Sequence, residues 1–95
     1  MTKTTTRPWD PVEHLGAEEA QAAYLDAAME DGDPAVITAA LGDIARARGM
    51  TDMAKATGLS RESLYKALSQ DGNPEFATVL KVMKALGLRL AALPA

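Results

Sequence analysis

The sequence predicts an all-α fold of five helices with a short extended C-terminal tail, on three observations. The 47% of residues that are hydrophobic are largely alanine and leucine, a composition that favours helix over sheet. Apolar residues recur at helical spacing within 17–30, 34–48 and 75–86. The run MTDMAKATGLSRESLYKALS (50–69) reads as two short helices with a tight break at Gly58. A chain of 95 residues is one small unit with a modest core, which association with a second copy would help to stabilise.

Taken in order, residues 1–13 (MTKTTTRPWDPVE) carry Pro8 and Pro11, which stop helix formation and predict an extended arm. Trp9, the one tryptophan of the chain, lies in this arm. It either folds back on the domain or anchors a partner. AEEAQAAYLDAAME (17–30) predicts a helix, with Glu18 and Glu19 at its positive end and Asp31-Gly32-Asp33 as its stop. Ala20, Tyr24, Leu25, Ala28 and Met29 form its apolar stripe. Asp33 caps the next helix, and Pro34 takes the first helical position, where proline is tolerated. The expected buried face of that helix is Val36, Ile37, Ala40, Leu41, Ile44 and Ala45, with Arg46, Arg48 and Gly49 at its basic end.

The two central helices are expected over Asp52 to Thr57, capped by Thr51, and from Arg61 to about Ser69, capped by Ser60. Ser63 stands where a capping box would have Glu, so Ser60 caps alone. Gly58 supplies the left-handed exit that only glycine adopts cheaply. Met53, Thr57, Leu59, Leu64 and Leu68 fall where the helices must face each other, and Ala54 lets them cross closely. Two helices joined by so short a glycine-containing turn carry the helix-turn-helix signature. Arg61, Glu62, Ser63, Tyr65, Lys66 and Ser69 stay outside the apolar stripe. Cations, hydroxyls and an aromatic ring on one face can meet phosphates and base edges, or can be the solvated face of an ordinary bundle. The joint match of glycine, cap and apolar positions favours DNA. A breaker-rich turn, Gln70-Asp71-Gly72-Asn73-Pro74, leads to the last helix, Glu75 to Leu86, with Phe76, Val79, Leu80, Val82, Met83 and Leu86 apolar. Gly87 ends it, and LRLAALPA is an extended tail that could pair with a two-fold mate. The organisation expected is an arm and acidic helix over 1–33, then a helix-turn-helix domain with its tail over 34–95.

Charge is unevenly spread. Residues 1–45 carry two cations against nine acids, net −7, and residues 46–95 carry eight cations against four acids, net +4. That asymmetry suits a nucleic acid for the basic half and a basic partner for the acidic half, although acids also simply solubilise a surface helix. Without cysteine, and with His14 alone, disulfides, thiolate metal sites and His-rich metal sites are excluded, and no cofactor is expected. No apolar run approaches a membrane span and no signal-peptide core is present, so a soluble cytoplasmic protein is expected. Ser60, Ser63 and Ser69 have no histidine nearby, Glu18 and Glu19 sit on an exposed helix, and every glycine of the helical region stands alone. Nothing there assembles catalysis, so a non-enzyme is expected.

The runs ALGDIARARGMT (40–51), ATGLSRESLYKALSQDGNPEF (56–76) and TVLKVMKALGLRL (78–90) resemble the Cro/lambda-repressor-like helix-turn-helix family. Within it they look like the addiction-module antidote proteins, the HigA-like antitoxins encoded beside a RelE/ParE-type toxin. The resemblance implies a homodimer that binds operator DNA and neutralises that toxin. Arg61 is then the candidate base reader, through guanine. Ser60, Glu62 and Ser63 share its end of the helix, while Tyr65 and Lys66 meet the backbone or groove wall. Thr51 and the amides beside it can hold a phosphate, and Asn73 is a phosphate contact or a plain turn residue. Such domains often carry glutamine where this chain has Asp52, which weakens that contact. For a basic toxin, the acidic third offers Trp9, Glu18, Glu19, Tyr24 and Asp26. A plain helix-turn-helix repressor, or a protein-interaction module with poor DNA affinity, are the alternatives.

Overall fold

The computed structural model describes residues 18–95. They form five helices: α1 (Glu18–Asp31), α2 (Pro34–Arg48), α3 (Met50–Thr57), α4 (Arg61–Ala67) and α5 (Phe76–Ala85). There is no strand among the described residues. Trp9 and the rest of the expected arm lie outside them.

Local signals set most of the boundaries. The Asp33 carboxylate accepts the Ala35 N–H at 2.9 Å, and Pro34 opens α2 where its missing N–H costs nothing. Gly58 takes a left-handed conformation (φ 76°, ψ 12°) and its N–H donates to the Ala54 carbonyl at 2.9 Å, closing α3. Three residues, Gly58 to Ser60, then separate α3 from α4. At the end of α5, the Gly87 and Leu88 N–H groups donate to the Lys84 and Met83 carbonyls, a paired stop that winds the helix down.

The core is one apolar cluster. Leu25 and Ala28 of α1 join Leu41, Ile44 and Ala45 of α2, Met53 of α3, Leu64 and Leu68 at α4, and Val82, Met83 and Leu86 at α5. Helix α1 packs chiefly on α2, and α3 touches α2, α4 and α5. Gly42 lets α2 approach the end of α4 closely, since a Cβ there would lie 2.3 Å from the Leu68 carbonyl oxygen. Arg48 joins three distant parts of the chain. Its guanidinium donates to the Ala85 and Leu86 carbonyls at 3.3 and 3.2 Å, and to Oε1 of the fully buried Gln21 at 3.2 Å. It therefore caps α5 and ties it to α1.

Several expectations are corrected. Thr51 is not a cap: α3 begins at Met50, whose side chain is buried, and Gly49 precedes it with no side-chain capping bond. Burying Met50 draws that residue into the helix and leaves Thr51 in its exposed first turn. Helix α4 stops at Ala67 rather than near Ser69. Val36, expected on the buried face, is 41% exposed in the first turn of α2, beside the open groove it lines with Ala27 and Asp31 of α1. Phe76 and Leu80, 64% and 41% exposed, also stand outside the core that Val82, Met83 and Leu86 enter. The segment 88–95 has no regular secondary structure, and part of it forms a groove with α1. No helix among the described residues is long and apolar enough to cross a membrane.

Candidate nucleic-acid interface

Helix α4 is held from one side. Leu64 and Leu68 are buried, while Ser60, Arg61, Glu62, Ser63, Tyr65 and Lys66 are all exposed. The Ser60 hydroxyl accepts the Ser63 N–H at 3.0 Å and donates to the Ser63 hydroxyl at 2.9 Å, so the start of the helix is set by its own side chains. Tyr65 follows Arg61 by four positions and Lys66 follows Glu62 by four, so these side chains share one outward face a turn apart. The face can present a fork of N–H donors from Arg61, a carboxylate acceptor from Glu62 and a mobile cation from Lys66.

The loop after α4 folds back over its end. A Cβ on Gly72 would lie 2.2 Å from the Ala67 carbonyl oxygen, and the Gly72 N–H donates to the Ser69 carbonyl at 2.9 Å. This brings Asn73 to the same shallow recess as Ser63 and Lys66. The residue types there suit an anionic oxygen: an ammonium, a hydroxyl and a side-chain amide. Gly72 is legible in the sequence only as a turn former; its close backbone approach depends on where the loop returns. Thr51 and Asp52 are both exposed in the first turn of α3, and the carboxylate of Asp52 opposes phosphate there.

Of the expected toxin-facing residues, Trp9 lies outside the described residues and the other four lie on α1. Glu18, Glu19 and Asp26 are exposed on α1. Tyr24 is half-buried between α1 and α2, and its hydroxyl donates to a carboxylate oxygen of Asp43 at 2.6 Å. That bond, reinforced by burial and the Asp43 charge, pushes the phenol up to about 12, with Arg46 opposing. Arg46 in turn pairs with the other oxygen of Asp43. The Tyr24 head is thus engaged within the fold. Asp43 and Gln21 are polar residues engaged within the fold that the helical pattern did not single out, and Arg48, read only as part of the basic end of α2, bonds to Gln21.

The family model described as "Probable addiction module antidote protein" matches residues 5–94. A protein of Haemophilus influenzae, described as an uncharacterized protein, is 53% identical over 83 residues, covering 87% of this chain and 86% of that one. No solved structure matches the chain. The chain belongs to the family of addiction module antidote proteins.

Proposed function

We propose, from membership of the antidote family, that this chain is a DNA-binding antitoxin that acts as a homodimer. It represses through operator DNA and neutralises a RelE/ParE-type toxin. The observation that carries DNA binding is the outward face of α4, where Arg61, Glu62, Ser63, Tyr65 and Lys66 are exposed on a helix anchored by buried Leu64 and Leu68. In this reading α3 and α4 are the helix-turn-helix and α4 enters the major groove. Arg61 takes guanine, and Ser60, Ser63, Tyr65, Lys66 and Asn73 serve position or phosphate.

A seven-residue reading helix reaches few base pairs, so a second copy one helical turn away, about 34 Å, is required for a specific site. Phe76 and Leu80 support the second copy's contact. They are exposed one turn apart on α5, which carries exposed Lys81 and Lys84 and is preceded by exposed Glu75, so the charges bordering the patch are of both signs. A two-fold contact sets a patch against itself, which a mixed-charge apolar patch tolerates.

One observation favours a weaker DNA function. Asp52 is exposed in the first turn of α3, where a carboxylate repels phosphate, so affinity then rests on avidity of the dimer. The test uses DNA from upstream of the chain's own reading frame, in fluorescence anisotropy over a salt series. Arg61→Ala should cost about 1–3 kcal/mol on the cognate site and relax its sequence preference. Lys66→Ala should weaken all sequences alike and lower the salt slope by about one. Uniform, equal losses from both variants would refute the division of roles.

A further inference from the structure

We propose that the groove between α1 and residues 88–93 is the docking site for a cationic amphipathic segment of the toxin, an inference that rests on the antitoxin reading above. The groove has an apolar floor, made by Leu25 and Met29 of α1 with Met83 and Leu88. Leu90 and Leu93 form its outer wall and are 41% and 80% exposed, so apolar side chains there stand in water. A surface of this kind gains by being covered.

Charge selects the occupant. Helix α1 carries five carboxylates and neither Lys nor Arg. Glu19, Asp26 and Glu30 fall at helical spacing on one stripe, all three are exposed, and Asp26 itself lines the groove. Arg89 is the one cation among the lining residues and belongs to the opposite wall. A second copy of this chain does not fit here, because a two-fold contact would set carboxylate stripe against carboxylate stripe. Nucleic acid is repelled for the same reason. What fits is a segment with apolar side chains along its centre and Lys or Arg along the edge that meets α1. An amphipathic helix laid into an apolar groove is the simplest such element.

The test uses the full chain and the purified product of the reading frame encoded beside it, the toxin partner that the antitoxin reading requires. Two variants address the two halves of the surface: Glu19→Lys with Asp26→Lys reverses the stripe, and Leu93→Asp removes an apolar anchor. All three side chains are exposed, and Glu19→Gln with Asp26→Asn provides a milder pair should the reversal disturb the helical circular dichroism. The charge variants should slow association about tenfold at low salt and flatten its salt dependence. Leu93→Asp should weaken binding at least about tenfold, chiefly by faster dissociation. DNA binding should be unaltered. If the wild-type chain does not bind that product, the antitoxin reading fails and this inference with it. If the wild type binds and every variant binds as tightly, the groove assignment is overturned while the antitoxin reading stands. A variant that turns a dimer into a monomer overturns it as well, since the groove then belongs to a second copy.

Discussion

Replacing Gly42 with alanine should destabilise the protein, even though alanine is the better helix former. Gly42 is buried in the interior of α2, and an added Cβ would lie 2.3 Å from the Leu68 carbonyl oxygen. Real Cβ contacts are essentially never under 3.0 Å, so α2 and the end of α4 must part by most of an ångström. The obstructing atom is backbone, fixed by the buried Leu68 side chain, and cannot swing aside. Overpacking of this kind costs about 1–3 kcal/mol. The gain in helix propensity is at most about 1 kcal/mol, because the glycine penalty is of that size. An intrusion this deep onto backbone belongs to the upper part of the overpacking range, about 2–3 kcal/mol, so a net loss of about 1–2 kcal/mol follows, and for a chain this short each kcal/mol lowers the melting temperature by about 4–8 °C. Urea unfolding followed by circular dichroism measures it directly. Because Leu68 closes α4, the surviving folded fraction should also hold the exposed face of α4 displaced and, if that face meets DNA as proposed, bind DNA less well. A Gly42→Ala protein as stable as the parent would refute the close approach.

Other perturbations probe the polar interior. Arg48→Met should cost about 2–3 kcal/mol in urea unfolding, since it removes charge-assisted bonds to the Ala85 and Leu86 carbonyls and to buried Gln21; a loss under a few tenths would show that the bonds are dispensable. Tyr24 gives a pH dependence with a defined sign. Its folded pKa, raised to about 12, exceeds the ordinary value of 10.0. Its contribution to stability is therefore full below pH 10 and lost as pH rises towards 12. In a Tyr65→Phe protein, which leaves Tyr24 as the single tyrosine, the tyrosinate absorbance should appear with a midpoint about two units above that of the unfolded chain. A midpoint at the unfolded value would sink the assignment.

What the sequence made legible was local. Asp33 with Pro34, Ser60 before Arg61, and Gly58 each act within a few residues, so their signals sit together in the chain and the structure uses them as expected. Thr51 misled because a hydroxyl before a short helix looks like a cap, whereas the helix start was decided by the need to bury Met50. Val36 was expected on the buried face and is exposed, and Phe76 and Leu80 were read as apolar, which they are, but periodicity does not say how wide the buried arc is. The Tyr24–Asp43 bond and the Arg48 contacts join residues 19 to 38 positions apart, and no spacing rule reaches that far. For the face proposed to meet DNA, the capping serine and the buried leucines fixed which side chains of α4 point outward. That Asn73 would share a recess with Ser63 and Lys66 depended on the fold-back at Gly72, which is a backbone contact without a side-chain signature.

The Arg48 contacts also bear on how long the folded state lasts. They close 27, 37 and 38 positions of chain, whereas the α3–α4 pair is joined through three residues. Loop closure over such spans is slow relative to a local helical pair, so the arginine should lock after the rate-limiting barrier has been crossed. Its loss then falls on the unfolding limb alone: about 2 kcal/mol there shortens the native lifetime about 30-fold while the refolding rate stays put. Stopped-flow traces of Arg48→Met in which refolding slows as much as unfolding quickens would place the arginine inside the folding nucleus instead. With that timing, one side chain acts as the latch of the domain, closing last and opening first.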